Sequence, residues 1–275
     1  MTTPSTTDAA LSPDEAAAYL SRIGAPPPEA PTSAALASLH RAHLTAVPFE
    51  NLDIALGRPI LLDRAALLDK VVRARRGGYC YELNGLFALL LRSLGYAVDL
   101  VSARVATAAG GLTDDFDHVA LVVSGGRLEE PVLADVGFGE GFIEPLPLHD
   151  DFERRERGHT VGLARRDLAW VFRERRDGED WQDRFVFTTT SRTLADFADR
   201  NEWQQTSPES HFTRSRVASV LTPTGRVTLS GTRLITTTRG RRDESELADE
   251  EAVHAALAEH FGIVLDSRDA PARPR

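Results

Sequence analysis

Through residue 95 the apolar positions recur with a helical period, and beyond it they alternate. The stretch "SPDEAAAYLSRIG" carries Ser12 as an N-cap, Pro13 in the first helical position and Glu15 to complete a capping box, with Gly24 as the stop. A Pro-rich connector, "APPPEAPT", follows, and Thr32 or Ser33 can cap a second helix that sets Leu36, Leu39, His40, His43 and Leu44 on one side. Asp63 can cap a third helix, "RAALLDKVVRAR", which Gly77 and Gly78 break. The fourth has Leu83, Leu86, Phe87, Leu90, Leu91 and Leu94 at helical intervals and ends at Gly95. After it, "AVDLVSARV", "HVALVVS", "RLEEPVLADVG", "AWVFRER" and "RFVFTTT" read as strands parted by turn residues such as Gly125-Gly126 and Asp177-Gly178. Beyond Trp203 come the strands "SRVASVLT" and "RVTLSGTRLITTT" and an amphipathic helix through "EEAVHAALAEHFG". The tail "DSRDAPARPR" reads as unstructured. The pattern predicts an α+β protein in three parts: helices over 1–95, antiparallel strands over 96–205 and a smaller mixed part over 206–275.

Composition narrows the function classes. A 275-residue chain with 42% hydrophobic and 27% charged residues is that of an ordinary globular protein, long enough for a sizeable core. The net charge of −9, with acidic and arginine residues interspersed, disfavours nucleic-acid binding. No apolar run reaches the ~20 residues of a membrane span, and the N-terminus "MTTPSTTDAALSPDE" has neither the basic start nor the apolar core of a leader. A single cysteine, Cys80, rules out an intrachain disulfide and any multi-cysteine zinc site, and it suits a reducing cytoplasm. No metal site is expected.

That cysteine opens the fourth helix, directly after "RRGGY". A thiol in a first helical turn lies beside unpaired N–H groups and the positive end of the helix dipole, which favour thiolate. The alternative is a small buried hydrophobe, so Cys80 needs a base and an orienting group before it counts as a nucleophile. There are eight histidines. His40 and His43 read as a packing or surface pair, His254 and His260 fall on a solvated helix, and His149 and His159 lie in a charged stretch. His118 differs because it opens the apolar run "HVALVV", while Asp135 ends the next run after Val132, Leu133 and Ala134. If the two runs form a hairpin about Gly125-Gly126, His118 and Asp135 stand nearly opposite each other. Cys80, His118 and Asp135 then make a nucleophile, base and orienter of the papain type, with chemistry through a thioester.

The motifs "RGGYCYELNG" around Cys80, "HVALVV" from His118 and "ADVGFG" around Asp135 resemble those of the arylamine N-acetyltransferases. "PFENLD" at 48–53 and "SPESHFTRS" at 207–215 are similar to two further segments of that family, in the same order along nearly the whole chain. The resemblance implies an N-terminal helical bundle, a central antiparallel β-barrel and a C-terminal α/β lid. It also implies a ping-pong acetyl transfer, in which acetyl-coenzyme A as co-substrate acylates Cys80 and an arylamine or arylhydrazine then attacks the thioester, with no permanently bound cofactor. By the same resemblance Phe138 and Phe212 would line a slot for the aromatic ring, with Gly137 and Gly139 flanking Phe138. Either Phe could instead be core, nearly as readily in the case of Phe212, and the two glycines serve the turn as much as the ligand. Glu82, set against Arg76, reads as ordering the Cys80 loop, and Asn84 as bonding nearby backbone. A monomer or a homodimer is expected.

Three other readings share parts of this pattern. Amide synthases of antibiotic pathways use the same triad to close a macrolactam from a carrier-protein thioester, and Trp170, Trp181 and the charged stretch 149–184 could shape either pocket. A cysteine hydrolase would pass its acyl group to water. A silent binding protein would not need Cys80, His118 and Asp135 together.

Overall fold

A computed structural model describes residues 10–265. The unstructured tail expected at 266–275, and the first nine residues of the stretch read for a leader, lie outside it. The chain opens with α1 (Pro13–Ile23), α2 (Ser33–Ala46), the short strand β1 (Phe49–Glu50), α3 (Leu52–Ala55), α4 (Arg64–Leu67) and α5 (Cys80–Ser93). The starts of α1, α2, α4 and α5 and the end of α1 are those the sequence predicts, whereas β1 and α3 had no signal in its pattern. Ser12 and Glu15 form a capping box on α1, Gly24 closes it in the left-handed conformation, and Thr32 and Asp63 cap α2 and α4 through their side chains. One feature was not expected: α4 continues as π-helix over Leu68–Arg73. The wider turn brings Lys70, the only lysine, inward, where it is mostly buried. Helix α5 is buried from Cys80 to Leu91, which its near-continuous apolar composition requires.

The barrel follows as one antiparallel sheet. In chain order it comprises β2 (Ala97–Val105), β3 (His118–Ser124), β4 (Val132–Ala134), β5 (Leu146–Pro147), β6 (Phe152–Glu156), β7 (His159–Arg166), β8 (Ala169–Arg176) and β9 (Gln182–Arg192). The spatial order is β5-β4-β3-β2-β9-β8-β7-β6. Its two edges approach through the Ile143 N–H on Glu156 (2.7 Å) and Arg154 on the carbonyl of Pro145 (3.1 Å), so the barrel is nearly closed. Strand β3 is buried on both faces. Val119, Leu121 and Val123 pack with the helical core, and Ala120 and Val122 fill the barrel.

The remaining elements are a 3-10 turn (Leu194–Phe197), α6 (Ala198–Thr206), α7 (His211–Arg214), strands β10 (Val217–Thr222), β11 (Gly225–Ser230), β12 (Arg233–Thr238) and β13 (Arg241–Glu246), and α8 (Glu250–Phe261). The second sheet runs β1-β10-β11-β12-β13, so Phe49 and Glu50 of the helical part supply its first strand. Ala218, Val220, Val227 and Leu229 pack on Val253, Leu257 and Phe261 of α8.

This is the expected α+β architecture of bundle, antiparallel barrel and α/β C-terminal part. Several segments differ from the sequence reading. The charged stretch holding His149 and His159, read as a loop, contains β6, whose outward positions are Glu153 and Arg155, and β7, which sets Val161 and Leu163 into the barrel core. Strand β13 is exposed at every position and carries no apolar signal. "RLEEPVLADVG" contributes only three strand residues, because 125–131 form a long loop.

Asn51, fully buried, ties the helical part to the C-terminal part. Its amide donates to the carbonyls of Phe212 (3.0 Å) and Ser215 (2.9 Å), and its oxygen accepts from the Val217 N–H (2.6 Å). Asn51→Ala removes all three bonds and orphans their partners, so urea unfolding is expected to show a loss of about 2–4 kcal/mol.

Candidate active site

Cys80 is the first residue of α5, held by its neighbours on both sides. Gly77 has no room for a side chain, since a Cβ there would lie 2.0 Å from the Pro48 carbonyl oxygen, and the Gly78 carbonyl accepts from the Glu50 N–H at 2.8 Å. Glu82 reaches back to the Tyr79 N–H at 3.0 Å and fixes the first turn of the helix. The glutamate's charge is met by Lys70 at 2.7 Å, not by Arg76 as the sequence reading had it. Arg76 bonds Glu50 (2.9 Å) and Asp53 (3.1 Å), and Lys70 also reaches Asp53 (2.7 Å). These five side chains form one buried network. Burial pushes the Glu82 carboxyl up to about 7 despite Lys70, with Glu50 adding to the rise.

The structure brings Cys80, His118 and Asp135 together, each at least 95% buried. His118 Nε2 donates to Asp135 Oδ2 at 2.6 Å, which leaves Nδ1 free to serve the thiol, and His118 and the Val119 backbone favour the charged form of Cys80. Asp135 Oδ1 accepts from Asn84 Nδ2 (2.8 Å) and from the Gly137 N–H (2.9 Å). The hairpin register is not the symmetric one expected. Leu121 pairs with Ala134, so Asp135 falls beside Ala120 and meets His118 on the diagonal, on the same face of the sheet. Burial raises the Cys80 thiol above its ordinary value, with His118 pulling it down. Burial also opposes the His118 charge, but Asp135 and the thiol outweigh it and lift the imidazole to about 10.

Two residues that the sequence reading left outside the site hold it together. Asn84, one turn along α5 from Cys80, donates also to the Val119 carbonyl (2.7 Å) and accepts from the Val136 N–H (2.9 Å). It thereby ties the cysteine's helix to β3 and to the aspartate's loop. His40, fully buried, accepts the Asp135 N–H on Nε2 (3.1 Å) and bonds the Ile143 carbonyl through Nδ1 (2.8 Å). Burial lowers it to about 4, so it is a neutral ring with a fixed tautomer. The partner lies 95 positions away, and no local spacing signals it.

Phe138 stands edge-on to His118 (5.1 Å between centroids) and to Phe185 (5.2 Å), with Asp135 and Gly139 beside it along a narrow cleft. A Cβ on Gly137 would lie 2.8 Å from the Cys80 Cα, so the glycine lets this loop touch the nucleophile's backbone. Gly139 has φ +82° and faces the Phe49 ring. Phe212 packs on Tyr79 (5.5 Å) and Phe49 (6.2 Å) beside the cysteine loop and, like Gly137, does not border the cleft. Trp181 is clasped between Arg173 and Arg175, and neither it nor Trp170 borders the cleft. Among the described residues no group of three metal-binding side chains converges, and no helix is long and apolar enough to cross a membrane.

A family model described as N-acetyltransferase matches residues 32–270. An arylamine N-acetyltransferase / N-hydroxyarylamine O-acetyltransferase from Salmonella typhimurium is 33% identical over 249 residues, covering 90% of this chain and 88% of its own. The chain belongs to the arylamine N-acetyltransferase family. It is an acyltransferase. The Nocardia farcinica arylamine N-acetyltransferase structure superposes with a TM-score of 0.86 at 38% identity, covering 97% of this chain and 96% of its own. The Mycobacterium marinum arylamine N-acetyltransferase in complex with CoA superposes with a TM-score of 0.83 at 34% identity, covering 90% and 92%.

The buried ion pair sets a pH test. Asp135 is what raises His118, so in Asp135→Asn burial dominates, the imidazole becomes a weaker base, and less thiolate forms at neutral pH. Alkylation of Cys80 by iodoacetamide at pH 7 is expected to fall by about tenfold or more, and its rise with pH to move upward, in protein whose melting curve shows it folded.

Proposed function

We propose that the protein transfers the acetyl group of acetyl-coenzyme A to arylamines and arylhydrazines in two half-reactions through a thioester on Cys80. The observation that carries this reading is the buried Cys80–His118–Asp135 line at the mouth of α5, beside an aromatic-lined cleft. In the first half, the sulfur attacks the acetyl carbonyl as its proton passes to His118 Nδ1, and coenzyme A leaves as a thiol after taking that proton back. In the second, the amine attacks the thioester, His118 accepts the amine's proton, and it returns the proton to the departing Cys80 sulfur. Asp135 holds the imidazole by Nε2 and stabilises its charged form. Phe138 and Phe212 offer ring faces and edges to an aromatic acceptor, while Gly137 lets the Phe138 loop close on the Cys80 backbone and Gly139 lets it turn against Phe49. Burial of the triad keeps water from the intermediate, which favours transfer over hydrolysis. We assign the nucleophile to 1–95, the base and orienter to 96–205, and the cover of the cleft to 206–275. A lone thiol that must stay reduced suits a cytoplasmic setting.

Intact-protein mass spectrometry after mixing with acetyl-coenzyme A alone tests this directly. A gain of one acetyl group is expected, absent in Cys80→Ala and discharged by an arylamine. No adduct on a thiol that iodoacetamide alkylates normally would overturn the donor assignment and favour a larger carrier-bound thioester, as amide synthases use.

A further inference from the structure

Asp117 stands directly before the base, His118, and its backbone lies against the nucleophile's helix. The Tyr81 hydroxyl, one residue past Cys80, donates to the carbonyls of Phe116 (2.8 Å) and Asp117 (3.2 Å). The Asp117 side chain meets α6, where Oδ1 accepts from Arg200 Nε (2.8 Å), Arg200 Nη2 (2.6 Å) and Gln204 Nε2 (2.7 Å). Gln204 accepts in turn from Ser210 Oγ (2.6 Å), the cap of α7, so one acid ties both helices to the strand of the base. The pair is sheltered: 9% of the Asp117 side chain and 15% of Arg200 are exposed, and the Trp203 ring covers the guanidinium at 3.8 Å. An acid placed here works against the chemistry. A thiolate on Cys80 and the Asp135 carboxylate are two negative charges against the single positive charge of His118, and Asp117 adds a third. Asp117 opposes the charged form of Cys80, and Tyr81 lies within electrostatic reach of Cys80, Asp117 and Arg200 alike. The other groups around it give no relief. Burial holds His211 of α7 below its ordinary value although Asp117 favours its charge, and Arg214 adds to the lowering. Burial keeps the Tyr79 and Tyr81 hydroxyls protonated, and Asp114, which bonds Arg200 Nη1 at 3.3 Å, is itself an acid and solvent-exposed. Arg226, which borders the cleft, donates to Ser219 Oγ at 3.0 Å and pairs with no carboxylate among the described residues. The counter-charge of Asp117 is Arg200.

We propose that Arg200 is a positioning residue for the reaction: by holding and neutralising Asp117 beside His118, it lets Cys80 carry the negative charge that its attack requires. The assignment rests on the reading of Cys80 as the nucleophile. It gives the paired groups separate duties. Asp117 fastens α6 and α7 to the base's strand, and Arg200 removes the repulsion that this fastening would otherwise impose on the thiolate. The two side chains therefore act in opposite directions on Cys80, which a clamp with a purely mechanical role would not produce.

The test follows the pH dependence of Cys80 alkylation by iodoacetamide in the wild type, Arg200→Gln, Arg200→Lys, Asp117→Asn and the Arg200→Gln/Asp117→Asn double variant, each shown folded by its melting curve. The midpoint is expected to rise by about one pH unit in Arg200→Gln, an about tenfold loss of thiolate below it, and to fall in Asp117→Asn, where Arg200 faces the thiol unopposed. Arg200→Lys keeps the charge, and the double variant loses both charges, so each should stay within about 0.3 unit of the wild type. Single variants that move the midpoint in the same direction, or not at all, would overturn the proposal, as would a double variant no closer to wild type than Arg200→Gln. Should Arg200→Gln fail to fold, Asp117→Asn decides alone, because an unmoved or raised midpoint refutes the counter-charge. Acetyl uptake from acetyl-coenzyme A, read by intact mass on the same samples, keeps the two readings apart. If the wild type takes up no acetyl group, the donor assignment fails, and alkylation still decides the role of Arg200. If it does, uptake below the midpoint is expected to fall about tenfold in Arg200→Gln and to return in the double variant.

Discussion

A carboxylate taken out of water has to find its hydrogen bonds in the protein, and the site is organised around meeting that demand for Asp135. Three donors converge on it, from His118, Asn84 and the Gly137 backbone, and each belongs to a different stretch of chain. Its own N–H is taken by His40. Satisfying one side chain therefore pins α2, α5, β3 and the loop after β4 to one another. The imidazole that results is a strong base facing a buried thiol, so the same constraint that orders the core also prepares the chemistry.

A second buried network lies under the cysteine loop. Glu50, Asp53, Lys70, Arg76 and Glu82 bring three carboxylates and two cations together out of water, and burial, with Glu50 adding to it, lifts Glu82 toward neutral pH. Through the Tyr79 N–H, Glu82 fixes the turn from which Cys80 projects. The residues between Pro48 and Asp53 serve both this network and the second sheet, because Phe49 and Glu50 pair with β10 while Asn51 bonds Phe212, Ser215 and Val217. The lid sheet is thus referenced to the nucleophile through six residues of chain, and Arg226 arrives at the cleft with its position already set.

The cleft combines aromatic edges with the Arg226 guanidinium, which Ser219 holds and no carboxylate among the described residues pairs. Phe138 links the two, since its ring meets His118 on one side and shares the cleft with Arg226 on the other.

The helical bundle, the turn to alternating strands and the three reactive side chains were legible in the chain because each leaves a local mark: a period, a cap, or a reactive residue at the start of an apolar run. Charged strands β6 and β13 left none, since their outer faces are solvated and their pairing comes from neighbours, and β7 was hidden in the charged stretch around it. The His118–Asp135 pairing was foreseen but not its register, because a seven-residue loop at 125–131 stands where a tight turn was expected. Partners distant along the chain were beyond any pattern. His40 beneath Asp135, Lys70 rather than Arg76 on Glu82, and Arg226 at the cleft all depend on where separate elements come to rest. By itself the sequence determined which groups could react. Tertiary structure decided which of them meet, because hydrogen-bond and charge partners are chosen by proximity in space, and the desolvation that makes those choices matter exists only in the folded chain.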